Sequence, residues 1–175
     1  VVGTETCAPH HDGATDPSIY TEEVFQEFVS SLRVLVNVAE KMGSIVAIEG
    51  VADKDVIHSH ERMQRTLEMV PSPNLAIIYD PVNFLPFERA AESDDLMKEA
   101  FRLFADRMVA IHAKDYVLED GRVNTTIPSG KGMLNYPLLL DLVREHKPMI
   151  PVLLENNTPD TIDDTIEFIN RLGGK

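Results

Sequence analysis

The chain predicts an α/β fold in which a parallel sheet is joined by crossover helices, and three observations carry that prediction. Ile45-Val46-Ala47-Ile48, Leu75-Ala76-Ile77-Ile78-Tyr79, Met108-Val109-Ala110-Ile111 and Val152-Leu153-Leu154 are short apolar runs without polar alternation, the pattern of strands covered on both faces. Such runs alternate with helical periodicity, β then α five times over. Strict alternation of this kind belongs to parallel sheets. Each of the four runs also ends on a costly polar group: Glu49, Asp80, His112 and Glu155. In open parallel folds ligands meet the protein at that C-terminal edge of the strands.

Taken in order, Val1-Val2-Gly3-Thr4-Glu5-Thr6 reads as a first strand, with Glu5 near its end as a pocket-lining or loop-capping group. Cys7 to Ser18 is a loop rich in Pro, His, Asp and Gly, in which His10 and His11 read as a solvated pair. A helix is expected from about Thr21 to Met42. Thr21 can cap it, Glu22 and Glu23 suit its positive end, and Val24, Phe25, Phe28, Leu32, Leu35 and Val36 recur at helical spacing. Gly43 stops it. After the Glu49 strand and a loop, a second helix runs from about His60 to Val70, with Met63, Leu67 and Val70 on one face and Pro71 and Pro73 beyond its end.

Beyond Asp80, Pro81 to Pro86 reads as an extended segment, and a third helix is expected over Ser93 to Ala105 with Leu96, Ala100, Leu103 and Phe104 buried. The His112 strand follows. Glu119 to Gly132 is expected to be a long loop with a turn at Asp120-Gly121. Tyr136 to His146 is helix, Met149 to Glu155 strand, and Thr161 to Leu172 a closing helix. No linker or low-complexity stretch divides the chain, so a single domain over residues 1–175 is expected.

Bulk composition narrows the function classes. With 175 residues and 43% hydrophobic side chains, the chain can bury a genuine core. A formal net charge of −13 argues against nucleic acid or an anionic membrane as partner. No apolar run approaches the roughly 20 residues of a membrane span, and no signal peptide opens the sequence. The single cysteine, Cys7, forms no intrachain disulfide and fits a reducing cytoplasm.

Glu49, Asp80, His112 and Glu155 follow one another at 31, 32 and 43 residues, one βα unit per step, so neighbouring strands would aim them at a common point. Three carboxylates and an imidazole form a hard, mostly oxygen donor set, suited to Mn²⁺ or Mg²⁺ and acceptable to Co²⁺ or Zn²⁺. A cation also explains how three negative groups can coexist. The competing reading makes each a helix cap or loop hydrogen-bonding group.

The strings Ala47-Ile48-Glu49-Gly50, Ile78-Tyr79-Asp80-Pro81-Val82-Asn83, Ile111-His112-Ala113-Lys114-Asp115 and Leu154-Glu155-Asn156 resemble the xylose isomerase-like superfamily of TIM barrels, the sugar phosphate isomerases and epimerases. The Pro128-Ser129-Gly130-Lys131-Gly132 loop before Tyr136-Pro137 resembles that group's Gly-x-Gly segment. The resemblance implies a (β/α)8 TIM-barrel type fold, here an incomplete barrel of about five parallel βα units. It implies one divalent metal on Glu49, Asp80, His112 and Glu155, and a ketose, sugar phosphate or polyol as substrate. Glu49 and Glu155 would remove and return a proton through a metal-stabilised enediolate. Asn83, Lys114, Asp115 and Glu5 are the expected substrate-binding residues.

The chain departs from the ketose epimerase pattern, which carries His where Asn83 stands and Arg where Leu118 stands. Lys114 and Asp115 follow the His instead, as in the isomerase and dehydratase branches. Lys114 is open to two readings: binding a substrate oxygen or phosphate, or pairing with Asp115. A complete barrel of this kind has eight units in about 250 residues, and the five present correspond to the last five. Closure is expected from a missing N-terminal barrel portion or from a homo-oligomer. Three alternatives stay in play: a non-catalytic barrel fragment or metal- or sugar-binding module, an inosose-type dehydratase, and an endonuclease IV-like phosphodiesterase. The last needs several strand-end histidines and a positive groove, which this acidic chain lacks.

Overall fold

The computed structural model describes residues 2–3, 17–52 and 54–173. Glu5, Cys7, His10 and His11, with the expectations attached to them, lie outside the described residues. The chain forms two compact units, Val1–Ile78 and Tyr79–Lys175.

In the first unit β1 (Val2–Gly3), β2 (Val46–Glu49) and β3 (Leu75–Tyr79, whose last residue begins the second unit) run parallel, Val2 opposite Ile48 and Ile48 opposite Ile77. Every residue of β3 is buried, as its unbroken apolar run requires. Helix α1 (Glu22–Met42) starts where Thr21 Oγ1 accepts the Val24 N–H at 3.4 Å, and it ends at Gly43, whose φ of 65° only glycine adopts without penalty. Its buried stripe is Phe25, Val29, Leu32, Val36 and Ala39. Leu35, expected to face inward, does not: it shares an outward apolar strip with Val34, Val38 and Met42. The helix carries more apolar residues than one face holds, and spacing alone does not say which of two adjacent stripes turns in.

Helix α2 (His60–Met69) is capped by Ser59, whose Oγ accepts the Arg62 N–H at 3.2 Å, and buries His60, Met63 and Thr66. Glu22 ties the two helices together. Arg65 Nη1 and Nη2 donate to its two oxygens at 3.1 and 2.8 Å, and the guanidinium carbons of Arg62 and Arg65 lie 4.6 and 4.7 Å from the centre of the Phe25 ring.

In the second unit α3 (Ser93–Phe104) follows a 3₁₀ segment, Phe87–Glu92, and buries Leu96, Met97, Ala100, Phe101 and Phe104. β4 (Met108–Ala113) pairs parallel with β7 (Val152–Leu154), His112 opposite Leu153 and Ala113 opposite Leu154. Between them β5 (Val117–Glu119) and β6 (Arg122–Asn124) form an antiparallel hairpin, where the sequence suggested only a loop with a turn. Asp120 and Gly121, both at positive φ, are the type of pair that closes a tight hairpin. The segment after Asp80 is also corrected: residues 81–84 form a turn, not an extended run. Helix α4 (Tyr136–His146) is capped by Asn135, which also donates from Nδ2 to Asp94 Oδ2 at 2.8 Å. Helix α5 (Ile162–Gly173) closes the unit. Among the described residues no helix is long and apolar enough to cross a membrane.

Candidate metal and substrate site

Strand alternation, carried one residue past the end of β4, places His112 and Lys114 on one face, with Ile111 and Ala113, both fully buried, on the other. The register then brings Glu155 alongside. Ala113 stands opposite Leu154, and the Glu155 N–H donates to the Ala113 carbonyl at 3.1 Å, so Glu155 leaves β7 at the level of Lys114. Asp80 comes from the end of β3 and is wholly buried.

These side chains meet. Lys114 Nζ lies 3.1 Å from Asp80 Oδ2 and 2.9 Å from Glu155 Oε2, and it donates to Asn83 Oδ1 at 3.1 Å. His112 Nδ1 is 2.8 Å from Glu155 Oε1. Asp80 Oδ1 accepts the N–H groups of Val82 and Asn83 at 2.8 and 3.0 Å. That Asx turn bends the chain where a straight segment was expected and delivers Asn83 to the ammonium. Burial disfavours the charged form of Lys114, but Asp80 and Glu155 outweigh it and hold the ammonium above its ordinary range. The site therefore stabilises a positive charge. Glu155, one-third exposed against 12% for Lys114 and His112, is its opening to solvent.

Asp115 has a different surrounding. Its Oδ1 accepts the N–H groups of Tyr116 and Leu134 at 2.8 and 2.9 Å, and its Oδ2 those of Gly130 and Gly132 at 2.9 and 2.8 Å. It is 1% exposed. Expected to bind substrate, it instead holds the 130–134 loop by its backbone. A Cβ on Gly132 would collide with the Tyr116 carbonyl and with Asp115 itself, and one on Gly130 with the Phe168 ring. Both glycines are thus needed for the loop to reach the carboxylate. The reading that Lys114 pairs with Asp115 also fails, because all four of these Asp115 bonds come from backbone.

A buried polar network joins that loop to the ends of β4 and β7. Ser129 Oγ donates to the Ala113 carbonyl at 2.9 Å. Asn157 Nδ2 donates to Ser129 Oγ at 3.1 Å and to the Glu155 carbonyl at 2.8 Å. Thr165 Oγ1 lies 2.8 Å from Asn157 Oδ1 and 3.1 Å from the Ser129 carbonyl. The Tyr136 hydroxyl donates to the Lys114 carbonyl at 3.1 Å. Burial pushes that phenol well above its ordinary range, so it remains a donor. Sequence reasoning missed Asn157 and Thr165, which lie outside any motif, while Ser129 was visible only as part of a glycine loop.

Of the residues singled out in the sequence, the second unit brings Asp80, Asn83, His112, Lys114 and Glu155 together. Glu49 is the last, half-buried residue of β2 in the first unit, and Glu5 lies outside the described residues. Two carboxylates on an ammonium, with an imidazole against one of them, have the donor chemistry of a hard-cation site.

The family model described as xylose isomerase-like TIM barrel matches residues 2–172. No curated protein matches the chain. Among solved structures, the xylose isomerase domain protein of Planctomyces limnophilus is 21% identical with a TM-score of 0.70, over 87% of this chain and 54% of that one. The 3-keto-D-glucoside 4-epimerase YcjR of E. coli is 19% identical with a TM-score of 0.65, over 95% and 59%. The IOLI protein with a binding zinc atom is 20% identical with a TM-score of 0.63, over 92% and 57%. The chain thus spans between half and three-fifths of the length of these structures.

Proposed function

Because the chain belongs to the xylose isomerase-like TIM-barrel family, we propose that it serves as a divalent-metal-dependent isomerase or epimerase of a small ketose, sugar phosphate or polyol. The observation that carries this reading is the convergence of Asp80, Glu155 and Asn83 on one cation, with His112 against Glu155. Asp80, His112 and Glu155 would hold the metal. Glu49 joins them on the strength of its strand-end position in the sequence, as the fourth ligand and second acid–base group. Mn²⁺ or Mg²⁺ suits the oxygen-rich set, and the zinc atom of the IOLI protein makes Zn²⁺ the alternative. When bound, such a cation polarises a carbonyl and acidifies the adjacent C–H.

The chain's own groups supply the rest. Glu155, partly exposed, with His112 against one oxygen and Lys114 against the other, would take a proton from a substrate carbon. Removing that proton leaves an enediolate, and returning one to the other face or the neighbouring carbon gives the epimer or the isomer. Lys114 and Asn83 offer hydrogen bonds to substrate hydroxyl or phosphate oxygens. His112, held against Glu155, keeps that carboxylate oriented.

The test is exchange of the α-proton with D₂O across a ketose and ketose-phosphate panel, with Mn²⁺ present. Wild-type protein should wash deuterium into at least one substrate, and Glu155→Gln should lower the rate by at least about 10²-fold. Metal binding without exchange of any substrate would favour the second reading, a non-catalytic metal- or sugar-binding module. The length of the matched structures beyond this chain gives that reading its weight, since part of a substrate pocket could come from elsewhere.

A further inference from the structure

We infer that Lys114 is an internal cation that competes with the divalent metal for Asp80 and Glu155, so that the metal loads only by displacing the ammonium, which is then free to meet substrate. The inference rests on the metal reading above and deepens it.

The argument begins with the oxygens. Asp80 Oδ1 already accepts two backbone N–H groups, at 2.8 and 3.0 Å, and these belong to a turn that cannot leave without unfolding locally. A metal ligand from Asp80 is therefore Oδ2, the oxygen on which Lys114 sits. In Glu155, Oε1 lies against His112 Nδ1 and Oε2 against the same ammonium. The nitrogen of Lys114 thus stands on one oxygen of each carboxylate that a cation would bridge. A dication held by the same two carboxylates and an ammonium hydrogen-bonded to both would be close neighbours of like charge in a buried setting, an unfavourable pairing. One has to leave. The lysine can, because its flexible stem needs only rotamer changes, whereas Asp80 is fixed by its turn.

The partners are graded accordingly. Asn83 Oδ1, a neutral acceptor at 3.1 Å, is a third tether that steadies the ammonium in the metal's place. Without the metal, Lys114 neutralises two carboxylates that would otherwise repel. With the metal, it becomes a mobile cation beside the reacting carbon, where it can pair with a phosphate or with a developing oxyanion.

The experiment is Mn²⁺ binding at one fixed pH, with free ion counted by its EPR signal and heat measured by calorimetry, on wild type, Lys114→Met, Asn83→Ala and the exposed control Lys131→Met. Lys114→Met should bind Mn²⁺ about tenfold or more tightly than wild type, and its metal-stripped form should melt lower, with the difference closing on saturation. Asn83→Ala, which changes no charge, should tighten binding about two- to fivefold by loosening the tether. Lys131→Met should stay within about twofold, which separates local competition from net charge. Equal or weaker Mn²⁺ binding by Lys114→Met, with wild type binding, overturns the exchange and makes Lys114 a supporting group of the metal site. If Lys114→Met does not fold, an unchanged Asn83→Ala affinity overturns it as well. Binding by Lys114→Met where wild type shows none supports the exchange in its strongest form. Absence of binding by every variant overturns the exchange together with the metal reading.

Discussion

Removing the Asp115 carboxylate should destabilise the protein far more than any effect on ligand binding would suggest. In Asp115→Ala four backbone N–H groups lose their acceptor at once. Those of Tyr116 and Leu134 lie in buried surroundings, where a donor left unsatisfied costs roughly 1–3 kcal/mol. Those of Gly130 and Gly132 are partly reached by water, and each loses only the net value of a hydrogen bond, about 1 kcal/mol. The four share one acceptor and do not add independently; a loss of about 4 kcal/mol is the working figure. Against the 5–15 kcal/mol typical of a whole domain, that is a severe loss. Asp115→Asn keeps one carbonyl oxygen and should fall between, near 2 kcal/mol. Urea unfolding followed by far-UV circular dichroism reads this directly, as a shift in midpoint at unchanged slope. An Asp115→Ala protein within about 1 kcal/mol of wild type would refute the latch. It would also return Asp115 to the substrate-binding role expected from the sequence.

Three further outcomes follow from particular contacts. Gly132→Ala forces a methyl group into the Tyr116 carbonyl and the Asp115 carboxylate; it should destabilise by about 1–3 kcal/mol, read from the urea midpoint, and an unchanged midpoint would mean the loop is held elsewhere. Asn157→Ala removes the bonds to Ser129 and to the Glu155 carbonyl, and with Glu155 less well aimed, Mn²⁺ affinity measured by calorimetry should fall about 10-fold; unaltered affinity would confine the network to a structural role. The Arg65 guanidinium, hydrogen-bonded to Glu22, holds that carboxyl down at about 2 against an ordinary 4.5, with Gln26 and Arg62 adding to the effect. Because the folded value is depressed, the stabilisation is present above the ordinary value and is lost as pH falls through about 2. Glu22→Gln should therefore melt below wild type at pH 7, with the gap closing toward pH 2 and narrowing in 1 M salt because the pair is exposed; a gap independent of pH would point to packing.

Much of the fold was legible because it depends on patterns that sequence displays. The unbroken apolar run of β3, the Thr21 and Gly43 helix ends and the strand-end positions of Asp80, His112 and Glu155 all follow from side-chain identity and spacing. What escaped depends on partners that have no letter of their own. The turn after Asp80 is made by a carboxylate bonding the backbone of Val82 and Asn83, and Pro81 gave it the look of an extended stretch. The β5–β6 hairpin is three residues a side, too short for alternation to register. Leu35 was misplaced because α1 carries two neighbouring apolar stripes, of which only one packs inward. Asn157 and Thr165 bond to a backbone carbonyl and to each other, and such contacts exist only once the chain has folded.

Three carboxylates after three strands illustrate how far position goes and where environment takes over. Asp115 meets four backbone N–H groups, donors fixed in number and place, which a metal or substrate could replace only by undoing the loop. Asp80 is divided, one oxygen held by backbone and the other facing an ammonium. Glu155 meets only side chains, an imidazole on one oxygen and the same ammonium on the other, and side chains can turn away. The order of exchangeability is therefore Glu155, then Asp80, then Asp115. A carboxylate that takes a proton or a cation needs a free lone pair, gained most readily where its hydrogen-bond donors are side chains that can turn away. By that criterion the Glu155 carboxylate is the most open to a new partner and Asp115 the least, although each of the three follows a core strand.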